Sequence, residues 1–141
     1  MSWLLDTCVV SELVRRRPKA SVVSWLRDRD EDELFLSVIT IGELEKGIAK
    51  LPGSAKRVTL EQWVRRELAD RFRGRLLVID SGVAARWGAL VGASEARGQP
   101  LPVIESLMAA TSLQHDLTVA TRNTDDLERC GARCFNPWVG K

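Results

Sequence analysis

Ten residues near the start of the chain, Trp3 to Glu12, constrain its fold more than any other stretch. The apolar run Trp3-Leu4-Leu5 ends on an acid, Asp6. Thr7 follows, and then Val9, Val10, Leu13 and Val14 recur at helix-compatible spacing. The pattern predicts a buried strand that delivers one carboxylate to its C-terminal end and turns at once into a helix. In open α/β sheets ligands bind in the crevice beyond the strand C-termini, so Asp6 stands where chemistry would be done. A plain N-cap of the next helix explains the same residue equally well.

The rest of the chain repeats this grammar. Arg15-Arg16-Arg17-Pro18 breaks the first helix, and Val22, Val23, Trp25 and Leu26 fit a second before an acidic stretch, Asp28 to Glu33. Leu34 to Val38 reads as a second buried strand. A helix from about Thr40 to Lys50 then carries the stripe Ile41, Leu44, Ile48 and Leu51 and stops at Pro52-Gly53. A long polar helix spans about Lys56 to Phe72. Leu76 to Ile79 is expected to be a third buried strand, capped into a helix by Asp80 or Ser81. After the loop Gln99 to Pro102, a helix to about His115 should face inward with Ile104, Leu107, Met108 and Thr111. A short strand from Leu117 to Ala120, a small helix and an edge strand near Arg133 to Phe135 complete the order. Strands alternating with helices predict a parallel sheet covered by helices on both faces.

At 141 residues the chain suits one domain with a real core. Apolar residues make up 45% of it, but no run approaches membrane-spanning length and no leader segment opens it. A soluble cytoplasmic protein with no membrane attachment is expected. The net charge of +2 excludes a chain coated in positive charge. Its arginines nonetheless cluster at 15 to 17, at 65 and 66, and at 71, 73 and 75. Such forks suit phosphates, and solvated helix faces account for them as well. Cys8, Cys130 and Cys134 lack metal-ligand spacing and read as reduced packing residues. His115 has no Ser/His/Asp set to join.

If the strands are parallel, Asp6, Asn123, Asp125 and Asp126 share one edge of the sheet, because all follow strand ends. Glu43 lies at the border of its helix stripe, roughly 120° from the centre at 100° per residue, with Gly47 a turn further leaving room for a ligand. Glu105 lies in the first turn of its helix, where the dipole favours an acid in any case. Carboxylates drawn together repel one another unless a cation sits among them. All-oxygen sets suit magnesium or manganese, which also bind phosphate oxygens, so a metal-dependent nuclease is the chemistry these acids point to.

The same positions carry a resemblance. The chain resembles PIN-domain ribonucleases, most closely the VapC toxins of bacterial toxin–antitoxin pairs, including the FitB-like branch. The matching segments are Leu5-Asp6-Thr7 with Val9 to Glu12, Ser37 to Gly47, Pro102 to Thr111, Val119 to Leu127, and Asn136-Pro137-Trp138. The resemblance implies a three-layer α/β/α PIN domain over residues 1–141, with a central parallel sheet of four to five strands. It implies Asp6, Glu43 and Glu105 as holders of Mg2+ or Mn2+ and Asn123 and Asp126 as further catalytic residues. Thr7 lies near the metal, and Arg122 is expected to hold RNA phosphate. Members of the family cleave RNA, often transfer RNA. A small VapB-like antitoxin silences them, and they reach operator DNA only through it. Homodimers are usual, and heterotetramers or larger assemblies form with antitoxin. Two departures stand out. Cys8 replaces a common asparagine, and Glu105 stands where the family usually has aspartate. An extra methylene can misplace a carboxylate enough to cost about 100-fold in rate, so a repressor complex that cuts little is the competing expectation.

Overall fold

The computed structural model describes all 141 residues. Five strands form one sheet: β1 (Trp3–Leu5), β2 (Leu34–Ser37), β3 (Leu76–Leu77), β4 (Thr118–Ala120) and β5 (Cys134–Phe135). Their order is β3-β2-β1-β4-β5, and every pairing is parallel. From β1 the chain steps outward through β2 to β3, then crosses back to lay β4 against the free side of β1. The topological switch point therefore lies between β1 and β4.

Helices fill the connections: α1 (Thr7–Glu12), α2 (Ala20–Arg27), α3 (Val38–Ala49), α4 (Ala55–Gln62), α5 (Ala69–Arg71), α6 (Ser81–Ala96), α7 (Val103–Gln114) and α8 (Thr124–Arg129). A π-helical segment, Trp63–Leu68, joins α4 to α5 as one arm. Along this arm Val64, Leu68 and Phe72 are buried.

Side-chain alternation along the strands builds two cores. Trp3, Leu5, Leu34 and Leu36 face one layer with Val9, Val10, Val22, Leu26, Leu68 and Phe72. Leu4 faces the other with Met108, Ala109, Val119, Leu127 and Cys130. Both faces of the central strands are thus covered, as continuous apolar runs in parallel sheets require. The expected three-layer fold and the five-stranded limit of its sheet are both found.

Three expectations are corrected. β3 is two residues long, and Leu76, Val78 and Ile79 are 41%, 57% and 37% exposed, because this strand is the sheet edge. Ile104 is exposed and Leu107 half-buried, whereas Met108 and Thr111 face inward as expected, joined by Ser106, Ala109 and Ala110. α1 ends at Glu12, so Val14 lies outside it and is exposed. Glu12 takes the inward place at 2% exposure, accepting from the Arg15 guanidinium at 3.0 Å and the Lys19 amide at 2.8 Å.

Candidate active site

The switch point is where sequence and topology converge. Leu5 is in register with Ala120, and the Asp6 amide donates to the Ala120 carbonyl at 3.0 Å, so the residues just past β1 and β4 emerge side by side. Asp6 uses both carboxylate oxygens. Oδ1 accepts from the Thr7 amide at 2.8 Å, and Oδ2 accepts from the Thr121 hydroxyl at 2.7 Å. Capping and site-lining were alternatives for Asp6 in the sequence; in the structure one side chain does both.

Thr121 was missed as a site residue. It is fully buried, and its Oγ1 also accepts from the Asn123 amide at 2.9 Å, so it ties the turn after β4 to the first acid. Its signal in the sequence was its place directly after a strand, the counterpart of Asp6 after β1.

Glu43 arrives from α3, whose start is set by Ser37 accepting from the Ile39 amide at 3.0 Å. The Thr7 hydroxyl donates to Glu43 Oε1 at 2.5 Å and lies 3.4 Å from the buried Thr40 hydroxyl. Thr7 thus links the first two acids, one through its amide and one through its hydroxyl. Glu105 comes from the first turn of α7.

A cavity of about 290 Å3 opens among them, lined by Asp6, Thr7, Glu43, Glu105 and Asn123, with Ile104, Met108 and Leu127 as its apolar wall. Five of the seven site residues read from the sequence are therefore brought together. Asp126 is outside this lining. It sits in the first turn of α8, 3.7 Å from the Arg129 guanidinium, and the next residue, Leu127, points to the cavity instead. Arg122 is a neighbour and not a wall. Its guanidinium lies 4.1 Å from the Trp138 ring centre, and its backbone amide contacts Cys8 Sγ at 3.5 Å.

The donor chemistry of the cavity fits a hard divalent cation: three carboxylates, an amide and two hydroxyls, of Thr7 and Ser11, all offering oxygen. Of the two sulfur-bearing residues in the lining, Met108 belongs to the apolar wall and Cys8 is kept as a thiol. Burial raises its pKa, and the neighbouring Asp6 charge adds to the rise. No three acids converge tightly enough to form a ready-made cage. An ion bound there would complete its shell with water and ligand oxygens, as magnesium commonly does.

A parallel sheet with acids gathered beyond its switch point defines an α/β protein with an acidic crevice where such folds bind ligands. The chain belongs to the PIN-domain family, whose model matches residues 3–132. It is 36% identical to Toxin FitB of Neisseria gonorrhoeae over 135 residues, 96% of this chain and 97% of that one. To VapC ribonuclease Y4jK of Sinorhizobium fredii it is 31% identical, over 96% of both chains. Among solved structures it superposes on a chain of FitAB bound to an IR36 DNA fragment with a TM-score of 0.88 at 34% identity. That match covers 96% of this chain and 95% of the other. No helix is long and apolar enough to cross a membrane.

Proposed function

We propose that this chain is the toxin of a toxin–antitoxin pair and acts as a metal-dependent endoribonuclease, hydrolysing phosphodiester bonds in RNA with transfer RNA as the target class. The observation that carries the reading is the gathering of Asp6, Glu43 and Glu105, from three separate elements, around one cavity at the switch point. End-to-end relatives named as a toxin and as a ribonuclease support it.

Asp6, Glu43 and Glu105 are the residues that would hold Mg2+ or Mn2+. Bound there, the ion supplies charge for phosphodiester oxygens and lowers the pKa of a water. The chain's own residues do the positioning. The Thr121 hydroxyl holds Oδ2 of Asp6 and fixes its rotamer, and Thr7 does the same for Glu43. Asn123 lines the cavity, and its side-chain amide can donate to a phosphate oxygen. Ile104, Met108 and Leu127 limit the water around the reacting group. Arg122, held against Trp138, offers its guanidinium to a neighbouring phosphate. Asp126 enters only as a nearby negative charge. Like Glu105, it adds to the rise that burial imposes on the Cys130 thiol.

The whole of residues 1–141 is taken as one unit, a homodimer in the cytoplasm that assembles with a VapB-like antitoxin into a heterotetramer or larger. Operator DNA is reached through the antitoxin. The longer Glu105 side chain favours a second reading, a repressor partner that cuts little. Expression of the chain alone separates the two. Growth arrest that is abolished by Asp6→Ala supports the toxin; undisturbed growth with folded protein accumulating supports the repressor partner.

A further inference from the structure

The three arginine clusters differ in one respect that the sequence does not show. Arg65 pairs with Glu45 and Glu61, Arg71 and Arg75 with Glu31, and Arg73 with Asp70. The cluster at 71, 73 and 75 is fully paired, and of the pair at 65 and 66 only Arg66 is left without an ion pair. Arg16, Arg17, Lys19, Lys56 and Arg122 make no ion pair. These five also lie together. Arg15, Arg17, Lys19 and Arg122 line one basin of about 290 Å3. Arg15, Arg16, Arg17 and Lys56 line a second of about 830 Å3. The two basins share Arg15 and Arg17, and the second shares Ser11 with the acid cavity.

The turn that presents these cations is built in advance. Glu12, buried at 2% exposure, accepts from the Arg15 side chain and from the Lys19 amide, so one carboxylate pins both ends of the Arg15–Lys19 turn. Pro18 restricts the backbone between them. A turn ordered before binding loses less entropy when a ligand arrives. At Arg122 the Trp138 ring plays the corresponding part. Other cations such as Arg27, Arg86 and Arg97 also lack an ion pair, but they line neither basin; these five are the ones gathered in one trough beside the acids.

We propose that this trough is the track for the RNA backbone, with Arg16, Arg17, Lys19, Lys56 and Arg122 holding the phosphates that flank the one in the acid cavity. The assignment rests on the nuclease reading and gives the substrate a path. Unpaired cations are what polyphosphate binding needs, since each neutralised phosphate releases counterions. Acids alone would repel the backbone. The trough supplies affinity and direction without reading bases.

Fluorescence anisotropy of a short labelled single-stranded RNA of mixed sequence, in EDTA and over a salt series, tests the track without cleavage. The intact chain is compared with the triple variant Arg16→Ala, Arg17→Ala, Lys56→Ala. The control is a charge-matched triple away from the trough, Arg27→Ala, Arg86→Ala, Arg97→Ala. Losing three contacts flattens the salt dependence by about 2 in logarithmic slope. The affinity gap between intact chain and trough variant then narrows about twentyfold between about 50 and 200 mM salt. The control triple should bind as the intact chain does, and melting temperatures should agree for all three. Equal loss in both triples, or no RNA binding by the intact chain, overturns the track. So does a trough variant that keeps RNA but releases polyglutamate, which would mark the trough as a site for an acidic protein segment. Trough-dependent binding with no cleavage in any metal keeps the track and refutes the nuclease.

Discussion

Thr121 and Asp6 carry the tightest argument at the level of single residues. The bond between them joins the ends of two parallel strands, and the same hydroxyl accepts from the Asn123 amide. Thr121→Val keeps the shape, removes both bonds and leaves Asp6 Oδ2 with one partner fewer. Residues that orient metal-binding side chains in this way are worth roughly 10- to 100-fold in metal affinity or activity. The variant is expected to lower kcat on RNA by that amount, with a weaker apparent affinity for manganese and a fold unchanged by circular dichroism. Asp6, Glu105 and Asn123 were legible in the sequence because each follows a strand or opens a helix, and Glu43 because it borders the apolar stripe of α3. Thr121 was not read as a site residue because a threonine after a strand is common, and only the register of β1 with β4 sets it against the acid. The burial of Glu12 was invisible for a related reason: its partners are the guanidinium of Arg15 and a backbone amide of Lys19, and amides carry no sequence signal.

At the level of elements, the edge of the sheet shows what local pattern cannot tell. Leu76 to Ile79 has the composition of a buried strand, yet strand order makes β3 an edge with one neighbour, and pairing stops after two residues. Composition reports apolar character; it does not report position in the sheet. The link that fastens this edge is Glu31, which accepts from the Arg71 guanidinium at 2.8 Å and lies 3.4 Å from that of Arg75. The Arg71 hydrogen bond is the first cause holding the Glu31 carboxyl below its ordinary value of 4.5. A depressed carboxylate stabilises the fold above its unfolded-state pKa and loses that contribution as the pH falls through its folded value. Its loss therefore lies at pH below 4.5. The pair is about half exposed, so the effect is small, under about 1 kcal/mol. Thermal melting of the intact chain and Glu31→Gln should differ slightly at neutral pH and converge in acid. A gap that widens in acid would show that the pairing is not what couples this edge to pH.

For the whole molecule, alternation of strands and helices was enough to predict a parallel sheet with two helical layers, because each strand run is apolar on both sides and each helix has one apolar stripe. What alternation leaves undetermined is the side of β1 on which β4 returns. That choice creates the switch point, and with it the cavity. The same arrangement puts the unpaired cations of the α1–α2 turn next to the acids, so that one end of the molecule carries both a place for a cation and a path for a polyanion. RNA is expected to be cut in the cavity at the switch point. The most direct test is cleavage of total transfer RNA by the purified chain with manganese or magnesium against EDTA, alongside Asp6→Ala and Glu105→Asp. Cleavage that requires the metal, is lost in Asp6→Ala and persists or rises in Glu105→Asp is the predicted result. Cleavage that is equal in EDTA, or unchanged by Asp6→Ala, would contradict it.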